Sequence, residues 1–439
     1  MTDDKVDDMA EASTSGAGEA PPPNVAPPRA EPPSEDSTRA FVRNTVVMST
    51  GTALSRLTGF LRLSAMAFAL GITESRLPDA YNIANITPNI LYELALGGIL
   101  TSVVVPVVVE WMQTHGRDAA WDVVRRLFTI TLVVLSAIAV LGIVLAPWII
   151  DLYTVGYPPV QREAVHDLAT FFLRFFMPQV VFYGIGAVAA GLLNSHRRFA
   201  APMFAPIANN LIVIATFLVF YAMPGPAEGS HELATGAQQL VLAVGTTLGV
   251  VAMTVALWPS VRATGFRFRW IGGVRDEAIV RIGRLATWVI VYVVANQLGY
   301  LIVLILAGEI KGGYSSYAAA FILFQLPHAI FAVSILTALL PAMSSRWAAD
   351  DLDGYRALLS QGIRATATVL IPAALGYLVL ARPIVRLLLE HGVTTPTSAD
   401  LVAEVLFAFA IGLFAFSAFQ FLLRASYAMQ DTRTPALVN

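Results

Sequence analysis

From residue 44 onward the chain alternates long apolar runs with short polar connections. Ten runs stand out, at 44–72, 79–112, 122–152, 165–193, 203–223, 238–260, 285–308, 314–341, 362–389 and 400–428. Each reaches or exceeds the roughly twenty residues that a helix needs to cross the hydrocarbon core of a bilayer. The runs are continuous and do not alternate at period two, which disfavours a membrane β-barrel. The pattern predicts an all-α polytopic membrane protein. Residues 1–40 are unlike the rest. They contain PPPNVAPP and EPPSED with acids before and between, and too few apolar side chains to offset the entropy of ordering. This stretch reads as a disordered, acidic, Pro-rich cytoplasmic tail. It has neither the basic start nor the early apolar core of a signal peptide.

Composition sharpens the picture. The 439 residues are 56% hydrophobic and 13% charged, against about a quarter charged in soluble chains. That excludes a large water-soluble catalytic domain. The net charge of −2 combines a tail at −6 with a remainder at +4, and no strongly basic domain points to nucleic acid as a partner. Cysteine is absent, so disulfide and thiolate chemistry are excluded. Fifteen arginines fall in one alternate set of connections and five basic residues in the other. By the positive-inside rule the N-terminus is cytoplasmic.

The pattern also repeats. Pro88, Ile99-Leu100-Thr101-Ser102 and Pro106 return as Pro327, Ile335-Leu336-Thr337-Ala338 and Pro341, and Pro202 in NSHRRFAAP returns as Pro435 in YAMQDTRTP. This predicts two homologous six-helix lobes around a central cavity. An N-lobe at 41–261 is followed by an amphipathic cytoplasmic linker at 262–284, RATGFRFRWIGGVRDEAIVRIGR, whose arginines suit anionic lipid and whose aromatics suit the headgroup level. A partial C-lobe at 285–439 then holds four helices and the start of a fifth. By the same spacing a full second lobe would run about seventy residues further, so the C-lobe is expected to be truncated.

Charge inside a bilayer costs roughly 2.5–3.5 kcal/mol on insertion scales, so each such residue is a functional candidate. The first run carries Arg56 and Arg62 in SRLTGFLR. They lie about 240° apart around a helix and share no narrow stripe. Guanidinium suits phosphate because it presents a permanent charge and a bidentate fork. Snorkelling or pairing with a carboxylate is the structural alternative. The second run opens with Asp79, Asn82, Asn85 and Asn89, followed by Tyr92 and Glu93. The three asparagines share one helix face, which suits either a water-filled cavity or interhelical hydrogen bonds. Glu93 suits either an arginine partner or a coupling proton. Arg174, Asn209, Asn210, Asn296, Gln297, Gln325, His328 and Arg424 are further polar groups in apolar runs. Arg174 reads as an interfacial anchor and His328 as a buried, hydrogen-bonded histidine. No GxxxxGK[ST], HExxH, CxxC or G-x-S-x-G occurs, so the sequence argues against an enzyme, a cofactor and a metal site. Transport driven by an ion gradient or a potential fits better than ATP hydrolysis.

SRLTGFLR at 55–62, PDAYNIANITPNILYELALGGILTSVVVPVV at 78–108, GLLNSHRRFAAPMFAPIANN at 191–210, FQLPHAIFAVSILTALLPAMS at 324–344 and YAMQDTRTPALVN at 427–439 together resemble the MurJ (MviN) family of lipid II flippases. That family belongs to the multidrug/oligosaccharidyl-lipid/polysaccharide exporter superfamily, and the acidic tail looks like its actinobacterial members. The resemblance implies a fourteen-helix fold in the cell membrane. It implies a lipid II substrate, undecaprenyl pyrophosphate bearing the peptidoglycan disaccharide-pentapeptide, moved from inner to outer leaflet by alternating access. Partners would be lipid II, membrane lipids and other wall-synthesis proteins. The resemblance places Arg56 and Arg62 at the family's first-helix arginine positions, which hold pyrophosphate. Asp79 matches the acid that opens the second helix, and Asn89 the Asn of a Pro-Asn pair. Two family arginines are replaced, by Tyr92 and Ile322. That departure keeps two alternatives in view, an exporter of another polyprenyl-linked glycan and a non-transporting scaffold for wall-synthesis proteins.

Overall fold

The computed structural model describes residues 35–93, 116–196, 198–226, 233–272 and 297–429. Among the described residues there are helices and turns and no strand. The elements are α1 (Glu35–Leu70), α2 (Leu77–Glu93), α3 (Gly116–Tyr153), α4 (Pro159–Phe176), α5 (Gln179–Ser195), α6 (Ala200–Ala222) and α7 (Gly236–Arg262). They are followed by α8 (Gln297–Gly308), α9 (Gly313–Pro327), a π-turn at His328–Ala332, α10 (Val333–Ala348), α11 (Leu352–Leu389) and α12 (Pro396–Ala428). The contacts divide the chain between Arg43 and Asn44, and the packed helices belong to the unit Asn44–Asn439.

Eight helical stretches are long and apolar enough to cross a membrane. Two are broken within their length. Pro178 separates α4 from α5, and the π-turn after Pro327 separates α9 from α10, because proline removes a backbone donor and crowds the preceding turn. Several helices outrun the apolar pattern. α3 starts at Gly116 and α11 at Leu352, where the sequence pattern gives 122 and 362, because a helix leaving the hydrocarbon continues with charged residues such as Asp122 and Arg356. α1 starts at Glu35, inside the stretch assigned to the tail. No proline follows Pro33 there, and Glu35 and Asp36 complement the positive helix end. The runs 79–112 and 285–308 are described only in α2 and α8. The repeat motifs at 99–106 and Pro435 lie outside the described residues. The element starts themselves repeat: Leu77 and Gly313, Gly116 and Leu352, and Pro159 and Pro396 are 236, 236 and 237 residues apart.

The packing differs at the two ends of the molecule. At the end that carries the α1–α2 turn, one core joins both halves of the chain. Leu63, Ile83, Phe172, Phe176 and Phe217 meet Leu304, Tyr314, Phe324, Val385 and Leu413 there. At the opposite end there are two separate cores. The first half has Trp121, Phe128, Leu193, Val250 and Phe266, and the second has Leu336, Met343, Tyr355 and Phe421. The halves therefore join at one end only. Phe266, from the segment expected at the headgroup level, is buried against Trp121 and Phe128, whereas Phe268 and Trp270 are exposed. Residues 273–284 of that linker lie outside the described residues.

Candidate functional site

The joined end is closed by two buried carboxylates in the first half that take donors from the second. Asp79 has no exposed surface. Its Oδ1 accepts from the Ser315 backbone N–H at 3.1 Å and the Ser315 hydroxyl at 2.8 Å, and its Oδ2 accepts from the Gly312 N–H at 3.1 Å. Arg76 pairs with Oδ2 at 3.2 Å and also donates to the carbonyls of Gly308 and Ile310. Asp79 therefore caps the start of α9 and lines no cavity, contrary to the expectation from sequence. Four donors in a buried site consume a carboxylate's acceptor capacity. Glu74 works similarly one turn earlier. It accepts from the backbone N–H groups of Ile72, Thr73 and Thr395 at 2.6, 3.0 and 2.7 Å, and from the hydroxyls of Thr395 and Ser398 at 2.9 and 2.5 Å. Partial burial pushes its carboxyl up, but the bonds from Ser398, Thr395 and Ile72 outweigh that and hold it below its ordinary 4.5. Thr394 and Val393 add bonds to the carbonyls of Ala67 and Phe68. Gly312 and Gly392 have left-handed φ of 69° and 62°. A Cβ on Gly312 would lie 2.5 Å from the Ile72 carbonyl oxygen, and one on Gly392 would strike that of Phe68.

Below this closure the α2 face divides its work. Asn82 donates to the Ser315 hydroxyl at 3.1 Å and so bridges the halves, while Asn85 points back to the Tyr81 carbonyl at 3.5 Å. Asn89 is exposed. Tyr92 lies against the Tyr183 ring at 4.4 Å. The Glu93 side chain lies outside the described residues. Of the asparagine face, then, Asn82 serves interhelical bonding and Asn89 alone keeps an open amide.

The two arginines of α1 diverge as their spacing requires. Asn210 of α6 donates to the Ser55 carbonyl at 3.3 Å and to the Thr58 hydroxyl at 3.0 Å, which fixes the rotation of α1. The charge of Arg62 then acts on Tyr81 and Tyr183 within the first half. The charge of Arg56 acts across to the second half, on His328 of the π-turn. No carboxylate among the described residues forms an ion pair with either. His328 Nδ1 lies 2.9 Å from the Ser417 hydroxyl of α12, and Arg424 of α12 also acts on His328. In the sequence Arg424 is one minor polar group among several, and its seven-residue spacing from Ser417 is the signal that could have raised it. Ile322, at a position where the resemblance expects arginine, packs against the joined core. Among the described residues no cluster of His, Cys, Asp and Glu is arranged to hold a metal ion.

The arrangement offers unpaired guanidinium groups in an apolar surround, which is chemistry for an anion and not for bond cleavage. The family model for "Lipid II flippase MurJ" matches residues 35–439. A probable lipid II flippase MurJ of Rhizobium meliloti is 28% identical over 403 residues, which is 91% of this chain and 72% of the relative. The lipid II flippase MurJ of Burkholderia cenocepacia is 28% identical, with 90% of this chain and 75% of the relative covered. Among solved structures, a lipid II flippase MurJ in an inward closed conformation aligns with TM-score 0.73 and 21% identity over 89% of this chain and 78% of that one. An inward-facing multidrug resistance transporter of the MATE family aligns with TM-score 0.62 and 13% identity, over 86% of this chain and 84% of that one.

Proposed function

The chain belongs to the lipid II flippase MurJ family, and on that premise we propose how its residues move the substrate. It is a multi-pass membrane transporter that flips lipid II for peptidoglycan synthesis, not an enzyme. Arg56 and Arg62 hold the pyrophosphate. The observation that carries this is that both are cations with no carboxylate partner among the described residues, held on an α1 face that Asn210 fixes. Asn89 adds a free amide, and Asn82, Asn85, Tyr92 and Glu93 shape the adjoining wall of the cavity between the lobes.

The N-terminus is cytoplasmic, so the end closed by Glu74 and Asp79 is the outer one. The moving parts are the lobes at 41–261 and 285–439, joined by the linker at 262–284. The separate cores at the inner end support a state open to the cytoplasm, with the polar head admitted between the lobes and the polyprenyl tail left in lipid. Pyrophosphate binding favours whichever state completes its contacts and so biases the alternation between leaflets. Other wall-synthesis proteins are partners on the cytoplasmic side.

The test is outer-leaflet accessibility of lipid II in cells depleted of the native gene and complemented with wild type or the Arg56→Ala/Arg62→Ala double variant. Accessible lipid II should fall on depletion while total lipid II accumulates, and only wild type should restore it. Restoration by the double variant would overturn the arginine assignment. Unchanged accessibility on depletion would overturn the lipid II reading.

A further inference from the structure

We propose that Arg424 is a third pyrophosphate-binding cation, set opposite Arg56 across the gap between the halves at the level of His328. The inference rests on the flippase reading and extends its anion site to the second half of the chain. His328 marks the place. Its Nδ1 meets the Ser417 hydroxyl at 2.9 Å, and its ring lies edge-on to Phe416 at 5.1 Å, so α12 fixes the imidazole from below and from the side. Ser417 in turn donates to the Leu413 carbonyl at 2.8 Å, which leaves its oxygen to accept from the histidine. Arg424 follows Ser417 by seven residues, two turns of α12, which returns it to within about 20° of the same stripe. The stripe that faces His328 therefore carries Arg424. Arg56 reaches the same imidazole from α1.

Two cations from opposite halves thus converge on one spot, and neither has a carboxylate partner among the described residues. Left empty, the pair repels. A dianionic group between them removes the repulsion and ties the halves together. The π-turn at His328–Ala332 opens the helix where this happens, and such turns are frequent at functional sites. α9 itself offers no cation here: Ile322 belongs to the joined core, and Gly313–Pro327 contains no Lys or Arg. Arg424 supplies from α12 the charge that α9 lacks. The competing role for Arg424 is an anchor that snorkels to headgroups, because the apolar span ends at Ser426.

The experiment uses the full chain in nanodiscs of neutral lipid and measures binding of undecaprenyl pyrophosphate and of undecaprenol. Arg424→Gln should weaken undecaprenyl pyrophosphate binding about tenfold or more, as expected for a lost charge-assisted hydrogen bond. It should leave undecaprenol binding and the melting temperature unchanged, and Arg424→Lys should retain most of the affinity. Arg56→Gln combined with Arg424→Gln should cost less than the product of the single effects, because both grip one group. Arg174→Gln, on the exposed face of α4, is the control. If Arg56→Gln weakens pyrophosphate binding and Arg424→Gln does not, the inference is overturned and the flippase site stands. If neither weakens it, the site itself fails. Equal weakening toward undecaprenol would make Arg424 an anchor and overturn the inference. Should Arg424→Gln lower the melting temperature, Arg424→Met keeps the apolar stem and carries the same comparison.

Discussion

Asp79→Asn is the substitution that most directly probes the closed end. The amide has the same shape as the carboxylate, so packing is preserved and hydrogen bonding alone changes. Each carboxylate oxygen receives two donors, Ser315 N–H and Oγ–H on one, Gly312 N–H and Arg76 on the other. Whichever way the amide is turned, its NH2 faces two donors and both bonds are lost. Arg76 keeps the Gly308 and Ile310 carbonyls and Gln161 but loses its paired counter-charge at a site 6% exposed. Breaking a buried pair in this way costs about 3–5 kcal/mol. Referred to opening of this end, that is roughly a hundredfold to thousandfold rise in the open population. The assay is favoured by the absence of native cysteine. Thr394→Cys places one thiol at a position 5% exposed within the closure, and its reaction rate with a maleimide reports opening. Asp79→Asn should raise that rate about a hundredfold, until the rate for an unprotected thiol limits it. A second reporter, Ala187→Cys in the separate core of the first half, should stay protected, which separates opening of one end from unfolding. An unchanged Thr394→Cys rate with an unchanged melting temperature would refute the claim that Asp79 holds the end shut.

Three further outcomes are expected. Glu74 has a folded pKa below its ordinary 4.5, so its stabilising effect is full above that value and is lost as pH falls through the folded pKa. The melting temperature of wild type should therefore exceed that of Glu74→Gln at neutral pH, and the difference should shrink on acidification below 4.5. Gly392→Ala places a Cβ against the Phe68 carbonyl at a left-handed φ, which costs about 1–2 kcal/mol before the clash is counted. It should lower the melting temperature and speed Thr394→Cys labelling, whereas Gly412→Ala, with open space at its Cβ, should do neither. Asn210→Ala removes the bonds that set the rotation of α1, at about 1–2 kcal/mol. It should weaken undecaprenyl pyrophosphate binding without touching either arginine, and full affinity would show that α1 is oriented by other contacts.

The apolar spans are legible in the sequence because bilayer thickness imposes a length, and polar helix extensions are not because no such length governs them. The divergence of Arg56 and Arg62 follows from their spacing alone. Asp79 is the opposite case. As a polar residue heading a polar face it reads as cavity lining, and its true partners, Gly312 and Ser315, are 233 and 236 residues away. Nothing local to α2 distinguishes a carboxylate facing water from one capping a distant helix. Arg424 is obscured likewise, since its place depends on His328 in the π-turn. The repeat spacing near 236 residues does relate Asp79 to the start of α9, and it is the one sequence signal that brings the closure's two sides together.

The span between those partners also sets an order of events during synthesis. Glu74 and Thr395 are 321 residues apart, and at about 5–20 residues per second the acceptor precedes its donor by roughly 15–65 seconds. Asp79 waits less long for Ser315, yet it too enters the membrane before that partner is made. Arg76, one helical turn away and already paired with it, is synthesised at the same moment. The nascent first half thus carries its own temporary neutraliser for a charge whose permanent partners do not yet exist. On this account Arg76→Gln would harm the yield of inserted protein more than the stability of protein already assembled.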